Sequence, residues 1–491
     1  MEKEGSQGDP FTQNLQADSA QPMKDGNRLA GRGKEQAILK AAYETEGFCL
    51  LGLYGRRRAG KTALLNQFCK GKKNIYLTAR EVKPERNMAI FGRLLSREPG
   101  LKALGLDIGL NDLRSLFSYL AMASAGERLV VVIDEFQYLS EAEPGLVKEF
   151  IRGMEYELAQ KNILLIVCGD TFDCMKELLE GELSIEQRAG ICLKPLGYRE
   201  AARLTAGYSN EEKLLVYSVT GGVPGYISLF DTDRSALDNI SALFFRAEGY
   251  LYEEAKNILR RMYRNVSLYN TLLEVIGKGA VRMNAISKGS GYDTPVISPA
   301  VKKLIANGMI EKNLPLLNET SKRDAEYLIS DAMLRFYYTF VSDALTEIEA
   351  GEGERYFEEK VKPALTGFLG EAFEDIARQY ILIRSKNGGF EERLVKSGRW
   401  RNTDANKHSE EIDVVSVNEN KTAAVIGECL YKNSSMETER VEKCIETGEK
   451  LGLRIIKYLM FSKNGYYPSS LRKYKNDERV ELLTLRDLYN L

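Results

Sequence analysis

Short, unbroken apolar runs alternate with amphipathic stretches over residues 48–197: Phe48–Tyr54, Asn74–Thr78, Leu129–Asp134 and Ile163–Cys168. Runs of this length without polar alternation predict strands buried on both faces, as in a parallel sheet wrapped by helices. Residues 198–255 predict helices, interrupted at Gly221-Gly222-Val223-Pro224-Gly225. The pattern then changes. Three helical stretches, Asn257–Tyr263, Ser267–Ile276 and Val296–Asn307, precede a hairpin-like segment, Met309–Ile329, with polar residues at its middle. Three helices and a two-stranded wing make the winged-helix form of the helix-turn-helix domain. Residues 341–491 predict a further α/β segment. It has a helix around Gly367–Arg384, a strand pair at Glu411–Val417 and Thr422–Tyr431, a helix at Glu437–Leu451 and a strand at Arg454–Phe461. The expected organisation is a tail at 1–27, an α/β core at 28–200, a helical lid at 201–255, a winged-helix domain at 256–340 and a second α/β domain at 341–491.

Length supports several units, since 491 residues exceed one core at ~100–200 residues per domain. The tail is polar and lacks the apolar stretch of a signal peptide, so it is expected to be disordered. No apolar run reaches the ~18–20 residues of a membrane span, and no membrane partner is expected. A net charge of −1 gives no global field toward nucleic acid, so any basic surface is local. Such a surface exists: between Lys256 and Lys312 there are ten Lys/Arg and three Asp/Glu. Lys302 and Lys303 on the third helix, with Lys322 and Arg323 in the wing, are the candidate DNA contacts. Packing of this domain on the core is the competing role. Seven scattered cysteines with no CxxC pair predict reduced thiols and a cytoplasmic protein. A single histidine, His408, argues against a zinc site.

The chemistry concentrates at two places in the core. Gly55-Arg-Arg-Arg-Ala-Gly60-Lys61-Thr62 fits GxxxxGK[ST], with an apolar strand leading in and a helix leading out. Backbone N–H groups of such a loop close around phosphate oxygens, and the helix N-terminus favours the anion. Gly55, Arg56, Arg57, Arg58, Ala59, Gly60, Lys61, Thr62 and Ala63 form the expected ATP-binding set. Lys61 should reach the β- and γ-phosphates, and Thr62 should ligate Mg²⁺. Asp134 and Glu135 end the apolar run Leu129–Ile133. Asp134 is placed to hold the Mg²⁺ shell, and Glu135 to orient or deprotonate the attacking water.

Together, Leu29-Ala-Gly-Arg32-Gly-Lys-Glu35, Tyr54–Thr62, Ile133-Asp-Glu-Phe-Gln137 and Thr220-Gly-Gly-Val-Pro-Gly-Tyr226 resemble the archaeal-type ATPases of the AAA/STAND superfamily. That resemblance implies a P-loop ATPase core, a sensor after the fourth strand and an arginine contact to nucleotide. Here the sensor stretch is Cys168-Gly-Asp170-Thr171, which leaves Thr171 as the γ-phosphate contact and sets Asp170 where it would repel phosphate. Arg188 is the arginine the resemblance offers. It also makes a homo-oligomer a candidate assembly.

The C-terminal segment resembles the nuclease-like domain of unknown function fused behind such ATPases, related to PD-(D/E)xK nucleases and their restriction-endonuclease-like fold. The matching stretches are Gly370-Glu-Ala-Phe-Glu374, Gly398-Arg-Trp400, Glu411-Ile-Asp413-Val-Val and Gly427-Glu428-Cys429. The resemblance implies a Mg²⁺ site at Glu374, Asp413 and Glu428. Leu430 stands where the nuclease pattern has lysine, and Lys432 is expected ~7 Å further along the same strand face. Three readings follow: an ATPase with a regulatory or nucleic-acid-associated role, an ATP-gated nuclease, and a non-hydrolysing switch that assembles with protein partners.

Overall fold

The computed structural model describes residues 31–102, 109–110, 112–142, 145–170, 173–181, 187–314, 316–317, 325–403 and 409–490. The tail expected at 1–27, Thr171, His408, Lys322 and Arg323 lie outside them. The chain divides into two compact units. The first is Met1–Leu196 with Val223–Gly225, and the second is Gly197–Gly222 with Tyr226–Leu491. Apart from residues 223–225, the segments expected as lid, winged helix and second α/β domain all fall within the second unit.

The first unit is built on five strands: β1 (Cys49–Tyr54), β2 (Asn74–Thr78), β3 (Leu129–Asp134), β4 (Ile163–Gly169) and β5 (Arg188–Cys192). They lie in the order β2-β3-β4-β1-β5, and every pair is parallel. Side-chain alternation explains the unbroken apolar runs. Val131 and Ile133 enter one core with Phe91, Phe117 and Phe150, while Val130 and Val132 enter another with Leu51, Leu53 and Leu64. A strand with a core on each face has no use for polar residues. The mixed sequence of β5 carries no such signal, because this edge strand is only partly covered.

The second unit contains helices Tyr250–Met262, Val266–Gly277, Met283–Ser290 and Thr294–Ala306, then an antiparallel pair, β6 (Ile310–Asn313) and β7 (Glu326–Ile329). Met283–Ser290 is a helix that the sequence pattern does not predict. It has only eight residues, and one of them, Ile286, is fully buried. Lys302 and Lys303 are exposed on the second half of helix Thr294–Ala306. A separate mixed sheet follows, formed by β8 (Leu394–Thr403), β9 (Ser409–Asn418), β10 (Ala423–Leu430), β11 (Arg454–Ser462) and β12 (Val480–Thr484). Its order is β12-β11-β10-β9-β8, antiparallel from β8 to β10 and parallel from β10 to β12. Strand β10 stops at Leu430, and Lys432 sits exposed in the bend beyond it. The expectation that Lys432 shares a strand face with Glu428 is therefore corrected, since alternation fixes a face only while the chain stays extended. No helix among the described residues is long and apolar enough to cross a membrane.

Candidate functional site

The loop after β1 turns sharply into helix Lys61–Cys69. Gly60, at φ 95°, caps that helix in the left-handed region, where a glycine carries no Cβ penalty. Gly55 passes so close to Leu193 that an added Cβ would lie 2.3 Å from its carbonyl oxygen. Two flanking motifs hold the loop. The buried Arg32 donates through Nη2 to the Ala59 carbonyl at 2.8 Å and through Nη1 to the Lys194 carbonyl at 2.8 Å. The Gly225 N–H donates to the Arg58 carbonyl at 3.0 Å. Arg32 and Gly225 belong to conspicuous sequence motifs, but their contacts with the loop were not legible there.

Lys61 lies inside the loop, only 7% exposed. Its Nζ donates to the Gly55 carbonyl at 2.7 Å, to the Arg56 carbonyl at 3.3 Å and to Asp170 Oδ1 at 2.7 Å. The Thr62 hydroxyl donates to Asp134 Oδ2 at 3.2 Å, so the two expected Mg²⁺ ligands converge on one point. Hard oxygen donors of this kind fit Mg²⁺, which keeps most of its remaining shell for water and phosphate. Tyr76, on the neighbouring β2, also donates to Asp134 Oδ2, at 2.6 Å. It holds the carboxylate from the side, and burial, then Asp134, push its own pKa far up.

Glu135 takes a left-handed backbone with φ 57°, uncommon for a side chain of its kind, which turns it off the strand line. Its carboxylate accepts from Gln137 Nε2 at 2.5 Å. Burial raises its pKa, and the Asp170 and Asp134 carboxylates raise it further. Lys61, Thr62, Asp134, Glu135 and Asp170 thus meet at the C-terminal ends of β1, β3 and β4, the edge where open parallel sheets bind ligands. Arg188 is elsewhere. It pairs in register with Leu50, near the start of β1 and at the opposite end of the strand from the loop, and its Nη1 donates to the Gly181 carbonyl at 2.7 Å. The two ends of the strand are set apart by ~3.3 Å per residue, so Arg188 and the loop do not meet within this chain.

The second cluster is in the C-terminal sheet. Asp413 on β9 stands beside Glu428 on β10, as the register Gly427↔Val414 requires. Each carboxylate already has a positive or N–H partner. Glu428 meets Arg440 at 2.6 Å, and Glu374 meets Arg399 at 2.6 Å and Arg378 at 3.5 Å. Asp413 accepts from the Cys429 N–H at 2.9 Å, with Arg440 at 3.8 Å. Burial pushes Glu374 up to about 7, against the pull of Arg399. Burial and Asp413 push Glu428 up as well, against Arg440. No group of three acidic, histidine or cysteine side chains able to hold a metal occurs among the described residues. Of the carboxylates expected to hold Mg²⁺, Glu428 and Glu374 each have a guanidinium standing on them, and Asp413 is held by a backbone N–H. Leu430, 7% exposed, belongs to the apolar cluster with Val441 and Cys444 of helix Thr438–Glu449.

Two known families match parts of this chain. Residues 29–230 match the family described as an ATPase domain predominantly from Archaea. Residues 337–441 match a family of archaeal and bacterial proteins of unknown function. Over 406 residues the chain is 25% identical to an uncharacterised protein of Methanocaldococcus jannaschii, covering 82% of this chain and 87% of that one. A second uncharacterised protein of that organism is 38% identical over 66 residues, 13% of this chain and 61% of the other. The Walker-type ATPase of Pyrococcus abyssi has the same fold, with a TM-score of 0.51 at 20% identity over 65% of this chain and 99% of that one. The chain thus carries an archaeal-type ATPase domain at residues 29–230, followed at 337–441 by a domain of that second family.

Proposed function

We propose that this protein binds ATP at Gly55–Thr62 and hydrolyses it, in a regulatory or nucleic-acid-associated role. The observation that carries the reading is the convergence of Lys61, Thr62, Asp134 and Glu135 on one edge of the parallel sheet. In this reading the loop N–H groups and Lys61 bind the phosphates, and Thr62 and Asp134 hold Mg²⁺. The metal would neutralise charge on the transferring phosphoryl group. Glu135 accepts the proton of the attacking water or orients it, and burial suits it to that task by raising its proton affinity. The Pyrococcus abyssi protein of the same fold is a Walker-type ATPase, which supports the same chemistry here. The test is ATP turnover of the full chain, with and without DNA. Lys61→Ala should cut turnover roughly 100-fold or more and weaken nucleotide binding. Unchanged turnover in that variant refutes the reading.

The nucleic-acid part rests on the exposed Lys302 and Lys303, on a helix that precedes the hairpin β6–β7. DNA affinity should fall steeply with salt, and reversing both lysines to glutamate should remove it. An isotherm that the double reversal leaves unchanged assigns this segment a packing role instead. The gated-nuclease alternative has less support, because Arg440 occupies the carboxylate pair it would need.

A further inference from the structure

We infer that Asp170 is an internal competitor of the nucleotide's phosphate for Lys61, with Gln137 holding Asp170 and Glu135 together as one unit. The inference rests on the ATP-binding reading above and deepens it.

Lys61 has three acceptors. Two are carbonyls of its own loop, Gly55 at 2.7 Å and Arg56 at 3.3 Å. The third, Asp170 Oδ1 at 2.7 Å, comes from the end of β4, 109 residues away. That carboxylate oxygen sits on the amine where a β- or γ-phosphate oxygen would have to sit. It is an anion of similar size, supplied by the protein itself. The Glu135 carboxylate feels both Asp170 and Asp134, so the acceptor on Lys61 stands within an acidic group. A phosphate oxygen arriving there cannot share with Asp170 the Lys61 N–H that Asp170 now accepts. Binding is therefore an exchange: the phosphate takes Lys61 and Asp170 leaves it.

Gln137 ties this exchange to the water-activating side. Its Nε2 donates to Glu135 Oε2 at 2.5 Å and reaches Asp170 Oδ2 at 3.5 Å. Its Oε1 accepts from the Asp170 N–H at 3.4 Å. One amide therefore contacts both carboxylates and braces Asp170 through backbone and side chain. Asp170 and Gln137 are positioning residues in this scheme. Neither touches the reacting atoms; they set which partner Lys61 and Glu135 have.

The energetic consequence is simple. If only the Asp170-off form accepts phosphate, the apparent dissociation constant equals the intrinsic one divided by the fraction of that form. Removing the charge of Asp170 raises the fraction toward one. The gain should appear only for ligands with phosphates that reach Lys61, which a general change in the fold would not discriminate.

The experiment is calorimetric titration of the full chain with Mg²⁺-ATP, Mg²⁺-ADP and AMP, for wild type, Asp170→Asn, Asp170→Ala, Lys61→Ala and Gln137→Ala, with folding checked by circular dichroism. Both Asp170 variants should bind ATP and ADP roughly tenfold more tightly and AMP less than twofold more tightly. In a Gln137→Ala background the Asp170→Asn gain should shrink to less than threefold, because Asp170 is no longer held on Lys61. If wild type binds ATP through Lys61 and neither Asp170 variant gains, the competitor inference fails while the ATP reading stands. An equal gain for AMP also overturns it. An equal Asp170→Asn gain with and without Gln137 overturns the part assigned to Gln137. If neither wild type nor the Asp170 variants bind ATP, both readings fall.

Discussion

The two acidic clusters of this protein look alike on paper and differ in what neutralises them. At the edge of the parallel sheet, the Asp170 carboxylate stands on Lys61, which lies inside the Gly-rich loop and also meets the Gly55 carbonyl. In the C-terminal sheet, two guanidiniums, Arg440 and Arg399, stand directly on Glu428 and Glu374. On the reading proposed above, the first cluster exchanges partners, with Asp170 giving up Lys61 to phosphate. The second closes on itself. Carboxylates at the right spacing are thus a poor sign of a metal site until their resident cations are known, because a neighbouring arginine can satisfy the same charges.

The largest expected effect tests whether the first cluster is catalytic and not merely a binding site. Glu135→Gln should slow ATP turnover by roughly 10²–10⁴, the range ascribed to a positioned general base, while ATP affinity stays within a few-fold of wild type. Single-turnover kinetics alongside equilibrium binding separate the two. If binding collapses with turnover, Glu135 is a structural or metal-binding residue, and the contrast between an exchangeable and a closed cluster loses its functional side.

A smaller effect tests the closed cluster. Restoring a lysine at the nuclease position, Leu430→Lys, should yield no Mg²⁺-dependent cleavage of DNA or RNA. It should instead destabilise the chain by about 3 kcal/mol, since it buries an ammonium among Val441, Cys444 and their neighbours. Thermal unfolding and a cleavage assay on the same preparation check both halves. Cleavage by a folded Leu430→Lys variant would reopen the second cluster as a damaged catalytic site.

What the sequence made legible follows from the same physics. Leu129–Asp134 matches β3 residue for residue, because a strand buried on both faces must be apolar throughout. The Gly-rich loop was legible because backbone shape demands glycines at fixed spacing. Strand β8, with the sequence Leu-Val-Lys-Ser-Gly-Arg-Trp-Arg-Asn-Thr, gave no such signal, since it lies at the sheet edge and carries charges along its length. The end of β10 was misjudged because Tyr431 prolongs the apolar run past the last paired residue. Hidden most completely were the long-range partners, Arg32 with Ala59 and Lys61 with Asp170. Residue type and spacing report on local geometry, and only the fold decides which distant charge answers which. The Asp413–Glu428 adjacency could be argued from strand pairing, whereas Arg440, on the next helix, could not.

The smallest effect concerns the pH response of the closed cluster. Glu374 and Arg399 pull against each other: the 2.6 Å contact favours the carboxylate, while burial favours the neutral acid and pushes Glu374 up to about 7. Burial wins on the direction of that shift. The sign follows from linkage. An unfolded glutamate releases its proton near pH 4.5, but the folded one keeps it until about 7. Between those values the folded state binds the extra proton, so stability falls as pH rises through this window and levels off above it. The contribution is about 2 kcal/mol across the window, after allowance for relaxation around the side chain. Glu374→Gln cannot titrate, so its midpoint relative to wild type should improve as pH goes from 5 to 8, in urea unfolding of the full chain followed at several pH values. A difference between variant and wild type that stays constant over that range would mean that Arg399 dominates and Glu374 is ionised throughout. The C-terminal cluster would then be held by a firm ion pair and not by a buried acid with a proton to lose.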